Sequence, residues 1–110
     1  MLVNKTDFTD KIVTVKMVTD NNQLIEAIGQ YVSGNENSVV IKGLHALVPN
    51  QTPNGMEMGF MQFFLLSEKD AVVELNRSTV AAISLANSAA QEEYKKLFNH
   101  ITVNVPKVTI

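Results

Sequence analysis

The stretch Lys11-Ile12-Val13-Thr14-Val15-Lys16-Met17-Val18, then Thr19-Asp20-Asn21-Asn22, then Gln23-Leu24-Ile25-Glu26-Ala27-Ile28-Gly29-Gln30-Tyr31-Val32 decides the fold class. In its first part Val13, Val15 and Met17 alternate with Ile12, Thr14 and Lys16. That is the period of a strand whose two faces meet different surroundings. Asp20-Asn21-Asn22 interrupts the alternation, and asparagine tolerates the positive φ that a tight hairpin turn requires. The pattern then resumes over about 23–32, with Ile25, Ala27 and Tyr31 on one face and Leu24, Ile28 and Val32 on the other. The segment predicts an antiparallel hairpin.

Residues after the hairpin extend it. Ser33-Gly34-Asn35-Glu36-Asn37 is a polar turn cluster. Ser38 to Val48 predicts a third strand, apolar on both faces, with Gly43 in its middle. A missing side chain there permits the sharp bend that a small barrel needs. Pro49 to Gly55 predicts a loop, Met56 to Leu66 a fourth strand, and Ser67 to Asp70 a turn. Ala71–Leu75 and Thr79–Ser84 predict two short strands around Asn76-Arg77-Ser78. Before the hairpin, residues 1–10 are polar and without period, which suits a ragged arm or one helical turn.

A helix is predicted over 87–100. Ser88 with Gln91 fits a capping box, Glu92 and Glu93 fall in the first turn, and Lys95 and Lys96 come later, as the helix dipole prefers. Tyr94, Leu97, Phe98 and Ile101 recur at helical spacing and form one apolar stripe. In the tail, 101–110, Val103 and Val105 alternate until Pro106 ends regular pairing, which suits an edge strand. The predicted fold is mainly β. It is a small, strongly bent, five-stranded antiparallel barrel over 11–85 with an added C-terminal helix, in a single domain 1–110.

Composition narrows the function. Of 110 residues, 45% are hydrophobic and 18% charged, and the net charge is −2, which disfavours binding of duplex DNA through its phosphates. The chain has no cysteine, so zinc-thiolate sites, disulfides and thiol nucleophiles are excluded. No apolar run approaches the roughly 18 residues that cross a bilayer, and the first residues do not read as a secretory signal. The expected location is therefore cytoplasmic, with no membrane partner. The sequons at Asn4, Asn50 and Asn76 then read as chance matches. His45 and His100 lack ligand partners at metal spacing, and His100 suits the dipole at the helix end. Glu68, Asp70 and Glu74, like the charged pairs of the helix, read as solvated. No phosphate loop or nucleophile elbow occurs. Neither a cofactor nor a metal nor an enzymatic activity is expected, and the five methionines read as core filler.

The segments 11–20, Gln23 to Gly29 and Asn37-Ser38-Val39-Val40-Ile41 together resemble the first Sm motif. Leu75-Asn76-Arg77-Ser78-Thr79-Val80-Ala81-Ala82-Ile83 resembles the second, with Leu75, Val80 and Ile83 at the motif's aliphatic spacing. The chain is also similar to Sm-like proteins of marine tailed phages and ocean metagenomes, which would place it in the cytoplasm of a host. The resemblance implies a small barrel that forms a ring by pairing an edge strand of one subunit with the next. It also implies a uridine site built from an acid, a stacking ring and an asparagine. Asn37 matches that asparagine, while Ser33 stands at the acid and Asn35 at the ring. Asn76-Arg77 stands where the family has Arg-Gly. Stacking supplies about 1–3 kcal/mol per base, so this chain departs from the family where binding would be strongest.

Two functions follow as expectations. The first is a homo-oligomeric ring that binds single-stranded RNA at its pore through Asn35, Asn37, Asn76 and Arg77. The second is a structural or protein-interaction module without nucleic acid. In both, Phe60, Phe63, Phe64, Leu65 and Leu66, apolar on both faces of their predicted strand, are expected to be covered by a neighbouring copy or by the chain's own helix.

Overall fold

The computed structural model describes residues 7–109, with side chains described as far as Phe98. Six strands follow in order: β1 (Ile12–Val18), β2 (Leu24–Gly34), β3 (Ser38–Thr52), β4 (Gly55–Gln62), β5 (Val72–Asn76) and β6 (Val80–Leu85). A single 3-10 turn, Arg77–Thr79, joins β5 to β6, and the helix α1 (Ser88–Thr109) ends the chain. The strands form one antiparallel sheet in the order β4-β3-β2-β1-β6. β5 pairs with the N-terminal part of β3, from Ser38↔Asn76 to Lys42↔Val72. β4 pairs with its C-terminal part, from His45↔Gln62 to Thr52↔Gly55.

The first hairpin forms as its pattern predicts. Val13, Val15 and Met17 are buried and Asn22 takes φ 60° in the turn. These residues enter a core with Ala27, Val39, Ile41, Leu44 and Leu75, inside the curl of the sheet. Ile28 faces the other way. It packs with Ala86 and Tyr94, and Ile12, Phe60, Ala90, Leu97 and Phe98 close around them beneath α1. Strands apolar on both faces are thus covered twice, by the curl on one side and by the helix on the other. The helical stripe Tyr94, Leu97 and Phe98 supplies the second cover; the side chain of Ile101 lies outside the described residues.

Gly43 sits at the bend, with φ 66°. A Cβ there would lie 2.5 Å from the Tyr94 hydroxyl and 3.1 Å from the Phe98 ring. Glycine thus permits both the left-handed backbone and the approach of the helix. The Tyr94 hydroxyl donates to the Gly43 carbonyl at 2.8 Å and reaches the Lys42 carbonyl at 3.1 Å. The Gly43 amide donates to Ala71 at 2.9 Å. Register shifts between Ile28 and Gln30, and again between Tyr31 and Ser33, add curvature to the β2–β3 pair.

Several expectations are corrected. The sheet does not close into a barrel: β6 pairs only with β1, and β4 and β5 only with β3. The 3-10 turn carries the chain from beside β3 to beside β1, so β5 and β6 do not pair with one another. The strand count is six, matching the six predicted segments and not the five of the expected barrel, and the predicted fourth strand ends at Gln62. The amide of Gln62 donates to the carbonyls of Phe64 and Ser67 and gathers 63–67 into a turn. The predicted loop 49–55 is mostly strand, turning through Pro53-Asn54 alone. Beyond Ala46, β3 has no β2 partner, and an edge-exposed ribbon of this kind tolerates Pro49. Asn87, not Ser88, caps α1: its Oδ1 accepts the Ala90 amide at 2.8 Å, while Gln91 reaches back to the Ala86 carbonyl. The first turn holds no acid, so Glu92 and Glu93 fall one turn later than expected. Residues 101–109 continue the helix instead of adding a strand, although Pro106 brings no amide to it.

Burial pushes the Tyr94 phenol well above its usual range. The unfolded chain releases this proton above about pH 10 while the folded chain keeps it, so stability falls as the pH climbs past that point. Tyr94→Phe is expected to cost about 0.5–1.5 kcal/mol at neutral pH by removing the hydroxyl that donates to the Gly43 carbonyl. It is also expected to flatten the alkaline slope by one proton. Denaturant titrations of both proteins at neutral and alkaline pH check both effects.

Candidate functional site

The four residues expected to meet RNA lie on two loops that the sheet brings together. The Ser38↔Asn76 pair places the turn after β2 beside the 3-10 turn, and the Arg77 amide donates to the Asn37 carbonyl at 2.9 Å. The Arg77 guanidinium spans the gap. Its Nε and Nη2 donate to the Asn35 carbonyl at 2.9 and 2.7 Å. The loops are therefore fastened to one another through a charge-assisted fork.

Most of the polar groups in this constellation already have work. Asn35 Oδ1 accepts the amides of Asn37 and Ser38 at 2.7 and 2.9 Å, an Asx turn that shapes the loop. Asn76 Oδ1 accepts the amide and the hydroxyl of Ser78, both at 3.0 Å, and begins the 3-10 turn. The Asn37 carboxamide has no hydrogen-bond partner among the described residues and is exposed. It is the one predicted side chain whose whole amide is open to a ligand.

Two shallow depressions flank the fork. Asn35, Asn37, Ser38, Glu74 and Asn76 line one. The other runs past Asp7, Phe8, Tyr31, Ser33, Glu36 and Arg77. Phe8 and Tyr31 were not singled out in the sequence. Their rings stand 5.9 Å apart and tilted, and a Cβ on Gly34 would meet both the Tyr31 hydroxyl and the Arg77 guanidinium. An aromatic pair thus lies beside the turn cluster, with Tyr31 two residues before Ser33. Phe8 is held there because Asp10 and Lys11 exchange backbone bonds with Tyr31. No periodicity in residues 1–10 could have announced this pairing. The carboxylates of Asp7, Glu36 and Glu74 outnumber the single guanidinium. The Thr9 amide, and then its hydroxyl, hold the Asp7 carboxyl below its usual range. This field disfavours phosphate.

The five expected interface residues are split by the turn after Gln62. Phe60 packs under Tyr94 at 6.4 Å between ring centres, and Phe63 packs against the main core. Phe64, Leu65 and Leu66 remain exposed, Leu66 completely. The chain's own helix therefore covers Phe60 and leaves the end of the segment uncovered. His45 is buried between Tyr94 and Phe98, its Nδ1 2.9 Å from the Gly43 carbonyl. Among the described residues no cluster of three metal-ligating side chains occurs, and no helix is long and apolar enough to cross a membrane.

Arg77→Ala is expected to release the turn 33–37 without unfolding the sheet, at a cost of about 1–2 kcal/mol for a charge-assisted bond. Hydrogen exchange should accelerate at Asn37 and Ser38 while the amides of Val13 and Val15 keep their protection.

Comparison with protein-family models and with curated proteins finds no match to this chain.

Proposed function

We propose that this chain is an Sm-like module that assembles with copies of itself into a ring by adding the edge strand of one subunit to the edge of the next. One observation carries the reading: among the described residues the sheet ends in edge strands with no further strand beside them, and one of these, β6, carries no protective residue of its own. β6 runs Val80-Ala81-Ala82-Ile83-Ser84-Leu85, with neither a charge nor a proline. Proteins that remain single blunt such edges with lysine, proline or a covering element. The opposite edge, β5, presents Val72 at 63% exposure, and Leu85 of β6 is 48% exposed. Pairing of unlike edges is heterologous and yields a ring when the rotation closes.

Light scattering at two concentrations tests this reading. A single mass that is a multiple of the 12.1 kDa subunit is expected. Ser84→Lys on one edge and Val72→Glu on the other should each reduce the particle to subunits, with the circular dichroism of the sheet retained. Ser84 faces Thr14 and Val72 faces Lys42 across the existing ladders, so neither change opposes a like charge within the subunit. A wild-type protein that runs as a single subunit at both concentrations would sink the proposal.

The exposed, unpartnered Asn37 amide supports a second reading, single-stranded RNA bound across the joined loops. Titration with U-rich and A-rich oligomers tests it, at about 0.15 M salt, where the repulsion between the nearby carboxylates and phosphate is screened. Retention that Asn37→Ala weakens would favour the RNA reading. No retention would leave an assembly or protein-interaction module without nucleic acid.

A further inference from the structure

The ribbon formed by β3 beyond Ala46 and by β4 ends in the turn Thr52-Pro53-Asn54-Gly55. We infer that Asn54 is a site of spontaneous hydrolytic modification, at which the tip of the ribbon gains a carboxylate and a fraction of the chains gain an isoaspartyl linkage. This inference is independent of the proposed assembly.

The chemistry needs the main-chain nitrogen of the following residue to attack the asparagine side chain. Hydroxide removes the Gly55 amide proton, a bond forms from that nitrogen to Asn54 Cγ, and the Cγ–Nδ2 bond breaks as water protonates the leaving nitrogen, releasing ammonia and regenerating hydroxide. Water then opens the cyclic imide at either carbonyl. One opening gives aspartate, the other an isoaspartyl residue whose main chain is one methylene longer. Nothing but water and its ions is consumed.

Three features favour this position. Asn54-Gly55 is the one Asn-Gly step in the chain, and glycine sets no side chain beside the attacking nitrogen. Gly55 adopts φ 118°, with nothing within 4 Å of the place where a Cβ would stand, so solvent reaches the peptide. Finally, the Asn54 carboxamide is exposed and has no hydrogen-bond partner among the described residues. Other asparagines contrast with it. Asn35, Asn76 and Asn87 each hold backbone amides on Oδ1, which fixes Cγ in an Asx turn or a cap. The Thr52↔Gly55 pair is the last of its ladder, and ladder ends open with little free energy. The product affects its surroundings: the added methylene lengthens the turn and displaces the Gly55 carbonyl from the Thr52 hydroxyl, now 2.8 Å away.

Incubation of the full chain at neutral and mildly alkaline pH, followed by peptide mass mapping and enzymatic methylation of isoaspartyl groups, tests the site. The expected result is a mass gain of an amide-to-acid exchange at Asn54 ahead of every other asparagine. It is accompanied by an acidic shift of the intact protein and an isoaspartyl signal. Asn54→Gln should abolish that signal while retaining the fold by circular dichroism. The inference is overturned if another asparagine reacts first. It is equally overturned if Asn54 stays intact in the folded chain while a synthetic peptide of residues 50–60 reacts.

Discussion

The carbonyl of Gly43 is the point on which the tertiary structure turns. The hydroxyl of Tyr94 donates to it from the helix, and the imidazole of His45 lies against it from two residues along the strand. A buried carbonyl needs such partners, since leaving one unmet costs about as much as a lost hydrogen bond. The same residue supplies the left-handed backbone that bends β3, and its amide ties the strand to Ala71 just ahead of β5. One position therefore sets the curl of the sheet, the seat of the helix and the place where β3 changes partners from β5 to β4.

That exchange of partners divides the molecule into two parts with different physical character. Around the N-terminal part of β3 lie Val13, Val15, Val39 and Ile41, fully buried in the main core, and the two polar loops fastened by Arg77. Around its C-terminal part extends a ribbon whose methionines, Met56, Met58 and Met61, are about half exposed or more. The molecule is correspondingly elongated, 56 Å along its longest axis and 33 and 28 Å along the others. Burial stabilises the first part. The ribbon relies on its own ladder and on Phe60, which anchors its base beneath Tyr94.

The polar loops illustrate how hydrogen bonding can consume a site. Asn35, Asn76 and Arg77 have the chemistry to read a base, yet each spends its acceptor or its donors in shaping a turn or joining two turns. What remains is the Asn37 amide, the outer amide groups and a partly buried aromatic pair, in a setting richer in carboxylates than in cations. Such a surface suits contacts of modest strength. The β6 edge, by contrast, carries neither a charge nor a proline among its own residues.

The sequence by itself determined the hairpin of β1 and β2, the bend at Gly43 and the helical stripe from Tyr94. Each of these is written in local periodicity or turn chemistry, which need no knowledge of distant residues. Only the tertiary structure decided that the curled sheet stays open, that Gln62 ends its strand by capturing the carbonyls of Phe64 and Ser67, and that Phe8 lies against Tyr31. Those outcomes depend on contacts between segments far apart in the chain or on a single side chain competing with the ladder. An apolar run such as Phe60 to Leu66 looks the same whether it pairs as a strand or folds into a turn. The choice falls to which backbone groups find partners once the sheet has curled.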